Sequence, residues 1–441
     1  MGRLTRVLAV IPFGAAAWLA LSAAPAMGFD GFGDLDANGT YGAEMRFSVE
    51  LHGGAPDRLE LLLSTPGSEA DFVAPVQSSA GSATYVWDTS VDYVTPNTPV
   101  SFRWRATNDG EVTVSEGGTL LYDDDRPSLA WREARIGEAT VHWYGDTEGQ
   151  ARRFGDLTTE AVERAEDLLD ASLDGPVDIF VYDTRDEFFG ALGPGAREWT
   201  GAAAYPHLRT IFMQVAGNGQ AYLDTVVVHE VMHVVFYDAT NNPYHEPARW
   251  LNEGIATWSE TDEADEERAI VQLEANGGGL FAFEAIAEQF PIGQRGGQLS
   301  YAQGATMIDV IVDRFGRDAI GRIAAAYREG ASDAQALEAG TGLEAETLYA
   351  EFYASFGVDP PLAVEPEPIL PSNVERPPAG EIDGPGGSGG GPDDPGPAPA
   401  PGEPLEEAGG PGLLVLVPLG LAAVAALIAV IVVARRAGRR A

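Results

Sequence analysis

The chain has 441 residues, no cysteine and a formal net charge of −40 at pH 7. Its length allows two ordinary domains plus accessory segments, and without cysteine it can hold neither a disulfide nor a thiolate metal site, so any metal must be bound by His, Asp or Glu. The acidic surface argues against nucleic acid or anionic lipid as a partner and suits a solvated, exported protein.

Residues 1–28 read as a secretory signal. Arg3 and Arg6 form its basic start, Val7 to Ala23 its apolar core, and Ala24-Pro25-Ala26 a small-residue cleavage site. An uncleaved anchor is the alternative. Residues 29–126 look β-rich. Met45 to Leu51 alternates apolar and polar, and Leu59 to Leu63, Ala83 to Trp87, Val100 to Arg105 and Glu111 to Val114 are short strand-like runs. Turn residues such as Gly53-Gly54 and Asn108-Asp109-Gly110 separate them. This spacing predicts an all-β, Ig-like sandwich. Asp123-Asp124-Asp125 lacks the spaced carboxylates and glycine of a calcium loop, so it is read as an acidic inter-domain linker.

Residues 127–358 predict an α+β domain, with strands first and helices after. Trp131 to Tyr144 reads as two strands joined at Gly137-Glu138, Leu157 to Leu173 as a helix, and Val177 to Tyr182 and Thr210 to Val215 as strands. Helices are expected over Tyr222 to Tyr237, Trp250 to Glu260, Glu266 to Glu274, Tyr301 to Phe315, Ile320 to Arg328 and Glu344 to Phe356. Residues 359–411 are rich in Pro, Gly and acids and cannot bury enough apolar surface to fold, so they predict a disordered stalk. Residues 412–434 are almost wholly apolar and long enough to span a bilayer as a transmembrane helix. Arg435, Arg436, Arg439 and Arg440 follow in the 435–441 tail, which the positive-inside rule places in the cytoplasm. The expected location is therefore the cell membrane, single-pass, with the body of the protein outside. Nothing in the pattern speaks to the oligomeric state.

Two of the six histidines fall in His229-Glu230-Val231-Met232-His233. On a helix, residues four apart share a face, and paired imidazoles there suit one tetrahedral zinc ion. Glu253, in Trp250-Leu251-Asn252-Glu253-Gly254, is the natural third ligand, about five helical turns of chain further on. That leaves one position open. Glu230 is then placed to act as general base and acid on water. An ordinary helix whose histidines serve only the core is the alternative, and the correctly placed Asn-Glu-Gly weighs against it. For Glu260, Thr257 and Asp224 the sequence leaves open which orients a zinc ligand. His52 and His142 read as structural, His207 as a surface histidine beside the cleft, and His245-Glu246 as loop.

Together, His229-Glu230-x-x-His233 and Trp250-Leu251-Asn252-Glu253-Gly254-Ile255-Ala256 resemble the gluzincin metallopeptidases, closest to the bacterial peptidase MA-like proteins related to aminopeptidase N and thermolysin. The resemblance covers roughly Trp131 to Gly357. It implies one catalytic zinc ion and a peptide or protein substrate. Leu299-Ser300-Tyr301-Ala302-Gln303-Gly304-Ala305 looks like the Tyr-x-Lys-Gly-Ala motif of aminopeptidase N-like enzymes, which implies that Tyr301 supports the oxyanion; Gln303 replaces the usual lysine. Where those enzymes carry Gly-Ala-Met-Glu-Asn, this chain reads Gly201-Ala202-Ala203-Ala204-Tyr205, with no acid to hold a substrate amino terminus. Endopeptidase activity is therefore expected over aminopeptidase activity, with Thr210 to Val215 as the strand that would pair with an extended peptide. The alternatives are a non-catalytic surface module on the same scaffold and a zinc hydrolase acting on a non-peptide amide.

Overall fold

The structure is a computed structural model that describes residues 28–68, 70–79, 81–193, 201–291 and 293–361. The signal, stalk, transmembrane helix and basic tail expected from the sequence lie outside these residues, apart from Gly28 and 359–361. Among the described residues, no helix is long and apolar enough to cross a membrane. They fall into two compact units, one taking the residues up to 216 with 230–246 and 324–330, the other 217–229, 247–323 and 331 onward.

The first unit opens with β1 (Phe29–Thr40), β2 (Glu44–Gly53), β3 (Arg58–Ser64), β4 (Phe72–Pro75), β5 (Ser78–Ser79), β6 (Ser82–Asp88), β7 (Thr98–Asn108), β8 (Glu111–Val114) and β9 (Gly118–Tyr122). One sheet has the order β1-β2-β6-β5 and the other β4-β3-β7-β8, with β9 also on β7. That order matches the two sheets of an Ig-like sandwich. Period-two alternation builds the core: Met45, Phe47, Val49 and Leu51 from β2 meet Leu59, Leu61 and Leu63 from β3 and Val100, Phe102 and Trp104 from β7. β1 was not legible in the sequence, because its run of Gly, Asp and Asn carries little strand preference. It forms by pairing antiparallel along β2, with register shifts between Phe29 and Gly31 and between Phe32 and Leu35.

A mixed sheet follows, with the order β10 (Arg132–Ile136), β11 (Ala139–Trp143), β12 (Val177–Tyr182), β14 (Thr210–Gln214), β13 (Ala202–Tyr205). The β10–β11 hairpin turns at Gly137-Glu138, as expected. β11, β12 and β14 are parallel. The long helix α1 (Glu148–Leu169) makes the first crossover, and α2 (Arg185–Leu192) lies between β12 and β13. α1 starts well before the expected Leu157, through a segment holding two glycines. Gly155 is required there, since a Cβ on it would lie 2.7 Å from Cβ of Ile136; the helix lies directly on that side chain of β10.

The acidic linker also differs from expectation. Asp124 is buried. It takes two hydrogen bonds from Arg126, at 2.7 and 2.5 Å, and one from Oη of Tyr182 at 3.0 Å. A buried carboxylate is stable only when paired in this way, so Asp124 ties the linker to the mixed sheet rather than facing water.

α3 (Gln220–Thr240) contributes residues to both units. The second unit is helical: α4 (Arg249–Ser259), α5 (Asp265–Asn276), α6 (Gln294–Phe315), α7 (Asp318–Arg328, whose last turns belong to the first unit), α8 (Asp333–Thr341) and α9 (Ala345–Ser355). α8 was not expected, and α6 begins before Tyr301. Tertiary contacts override the helix-weakening Gly296 and Gly297: Arg295 pairs with Glu274 at 2.7 Å, and Gly296 abuts Pro291. An aromatic core holds the unit, with Phe283 between Trp250 and Tyr349 at 4.7 Å from each ring.

Candidate metal centre and active site

α3 is apolar on nearly every face, with Leu223, Val227, Val231, Val234, Val235 and Phe236 all buried. Such a helix belongs in a core. Its middle turns carry His229, Glu230 and His233, all of intermediate exposure. The i, i+4 spacing turns the two imidazoles to one side, and α4 supplies Glu253, which is buried. Each of His229, His233 and Glu253 offers a ligand atom, and these atoms all lie within 4.8 Å of one another.

Two contacts orient these donors. Nδ1 of His229 lies 3.0 Å from Oε1 of Glu260. A carboxylate there accepts a hydrogen bond from Nδ1–H, the tautomer that leaves the lone pair on Nε2. That Nε2 is 3.5 Å from Oε2 of Glu253. Two electron-rich atoms facing each other at this range repel unless a cation lies between them, and two imidazoles with one carboxylate are a zinc donor set. The residues present therefore fit zinc. Oε1 of Glu253 accepts from Nη2 of Arg249 at 3.2 Å, which turns Oε2 toward His229. Of the three candidates for orienting a ligand, Glu260 is the one on His229, whereas Asp224 accepts from Gln220 at 2.7 Å.

α4 is fixed in place by its neighbours. Trp258 donates to Asp309 of α6 at 3.1 Å, and Arg268 of α5 pairs with the same carboxylate at 2.6 Å. Gly254 and Gly304 let α4 and α6 cross at backbone contact: a Cβ on Gly304 would lie 2.4 Å from the carbonyl oxygen of Trp250. The glycine of the Asn-Glu-Gly motif is thus a packing residue, one position past the ligand. Tyr301 lies on α6, its ring 6.2 Å from that of His229 and 5.2 Å from Phe290. It sits inside the helix rather than at its start.

Glu230 has a partner that sequence reasoning missed. Its Oε2 accepts the main-chain N–H of Ala204 on β13 at 2.8 Å. Gly201 accepts from Gln214 of β14, so alternation turns Gly201, Ala203 and Tyr205 toward β14, and Ala202 and Ala204 toward the sheet edge. Thr210 to Val215 was expected to pair with substrate. β14 cannot do so, because β12 and β13 cover both its sides. β13 is the edge among the described residues. Its run of alanines gave no strand signal, and a main-chain contact leaves no side-chain signature.

The remaining histidines stand apart from the centre. His207 follows β13 in a short 3-10 turn, and burial pulls its imidazole below the ordinary range. His142 pairs with Asp178 at 3.2 Å and stacks on Phe180, and His245 stacks on Tyr327. His52 lies on β2.

Residues 157–357 match the family model described as Peptidase MA superfamily. That span, just under half of the chain, holds α3, α4 and α6 entire, so the match to the peptidase MA superfamily covers the helices that carry the candidate site. Among solved structures, an M1 zinc metallopeptidase from Deinococcus radiodurans is 15% identical, covers 74% of this chain and 92% of its own, and has a TM-score of 0.34. An aminopeptidase N family protein from Idiomarina loihiensis is 10% identical, covers 68% of this chain and 72% of its own, and also has a TM-score of 0.34. Likenesses this weak carry no weight beside the family match. A comparison with curated proteins found no match.

Removing the Glu260 carboxylate frees the His229 ring. Glu260→Ala is expected to weaken zinc affinity about 10- to 100-fold, the usual cost of losing a ligand's orienting partner. Competition with a chromogenic chelator measures this, and an unchanged affinity would show that Glu260 does not set the ligand.

Proposed function

We propose that the chain is a zinc metallopeptidase that cleaves internal peptide bonds outside the cell, tethered by its C-terminal apolar segment. The observation that carries this reading is the gathering of His229 and His233 of α3 with Glu253 of α4, with Glu230 next to His229 in the chain. His229, His233 and Glu253 would hold the zinc ion, which when bound would supply Lewis-acid polarisation of a carbonyl and lower the pKa of water.

The chain's own groups do the rest. Ala204 holds Oε2 of Glu230, which leaves Oε1 to take a proton from the attacking water. As the C–N bond breaks, Glu230 returns that proton to the leaving amine. The Tyr301 hydroxyl is assigned to the developing oxyanion, where a donor is a large catalytic contribution. An extended substrate would pair with the outward edge of β13 through Ala202 and Ala204.

The endopeptidase reading is supported by the absence of any acid in Gly201 to Tyr205. The placement outside the cell rests on the basic-apolar start, the apolar 412–434 segment and the arginines after it. The test is digestion of a peptide library by the full-length chain, with free and N-acetylated members compared. Internal cleavage of both sets is expected. Cleavage of free amino termini alone would make the protein an aminopeptidase, and no cleavage of either set would remove the peptidase reading.

A further inference from the structure

The β13–β14 hairpin is held at its turn from three sides by the sandwich. Asn97, between β6 and β7, donates its Nδ2 to Oγ1 of Thr210 at 2.8 Å. Thr210 is fully buried and is the cross-strand partner of Tyr205. Tyr93, in the same connection, donates its hydroxyl to the carbonyl of Ala191 at 2.5 Å and lies near the Tyr205 hydroxyl. Gly67, in the turn after β3, lies so close to His207 that a Cβ on it would be 3.2 Å from Cβ of that histidine. Burial raises the Tyr93 and Tyr205 hydroxyls above the usual tyrosine range.

These three contacts converge on residues 205–210, the turn of the hairpin whose edge strand binds Glu230 through Ala204. β14 is held by its ladder to β12, but β13 is a four-residue edge strand with short alanine side chains and little packing of its own beyond its ladder to β14. The turn is the second place where that strand is fastened.

We propose that the sandwich is a working part of the active site, and that Tyr93 and Asn97 are positioning residues that clamp the β13–β14 hairpin and so fix the strand edge offered to substrate. This role rests on the peptidase reading for its consequence in catalysis, but not for the clamp itself. It assigns the sandwich a function inside the chain rather than recognition of a separate partner.

The test uses the zinc-loaded full-length chain with Tyr93→Phe, Asn97→Ala and the double variant. Hydrogen exchange of the Ala204 and Thr210 amides is read in each. Losing the Asn97 bond to the turn, or the Tyr93 hydroxyl beside Tyr205, is expected to speed exchange about tenfold. On a cleaved peptide, the double variant is expected to raise KM about fivefold with little change in kcat, the mark of lost substrate positioning. Zinc content should not move. Tyr41→Phe is the control, because its hydroxyl bonds Gly190 at the end of α2 at 2.8 Å and not the hairpin. Unchanged exchange at Ala204 and Thr210 in Tyr93→Phe and Asn97→Ala overturns the proposal, as does equal loosening by Tyr41→Phe. If the wild-type chain cleaves no peptide, the peptidase reading falls while the exchange measurement still decides the clamp. Tyr93→Phe removes a single oxygen, so it keeps the test open if the double variant fails to fold.

Discussion

Glu230→Gln is expected to lower kcat about 1,000-fold, within the range for loss of a general acid–base group, while zinc content and the melting temperature stay near wild type. The amide is nearly isosteric and still offers an oxygen to the N–H of Ala204, which now meets Oε2 at 2.8 Å. Glu230 is not among the residues whose ligand atoms converge on the metal centre. What the variant loses is the capacity to accept a proton from water and return it to the amine. Peptide turnover, zinc content by atomic spectroscopy and thermal unfolding together check this. Turnover within tenfold of wild type would show that another group moves the proton. Loss of zinc would mean that Glu230 helps to hold the ion.

Gly304→Val is expected to destabilise the protein by about 3 kcal/mol, the upper part of the usual overpacking cost, and to weaken zinc binding as well. At Gly304 even a Cβ would stand 2.4 Å from the Trp250 carbonyl and 3.1 Å from Cα of Gly254. Both obstacles are backbone atoms of α4, so no side chain can swing aside. The better helix propensity of a non-glycine residue returns only about 0.5 kcal/mol or less. The helices must separate, and α4 carries Glu253 with it. Denaturant unfolding measures the first effect and a zinc titration the second. Stability within experimental error of wild type would show that the crossing tolerates a wider gap.

The elements that carry side-chain chemistry were legible in the sequence, because helical spacing places His229 and His233 on one face whatever surrounds them. Glu253 follows from the length and polarity of the segment after α3. The sandwich was legible through alternation in β2, β3 and β7. What stayed hidden has a common physical cause: it is made by main chain or by glycine. β1 and β13 form because a neighbouring strand offers a ladder, not because their own residues prefer it. The bond from Ala204 to Glu230 uses an amide that every residue except proline possesses. The helix crossing at Gly254 and Gly304 depends on a missing side chain, and the motif glycine reads in sequence as a family signature rather than as a spacer. Asp124 looked solvated because its burial depends on Arg126 and Tyr182, the second of them far along the chain.

The bond between Ala204 and Glu230 also separates two kinds of inheritance. Because its donor is an amide, substitution at 202 to 204 would, on the proposed pairing of substrate with β13, redraw which peptides lie along the edge without touching the group that moves the proton. Selectivity can drift while turnover chemistry is conserved, and only proline at 204 would couple the two. A designer seeking a new cleavage preference would begin at these three alanines.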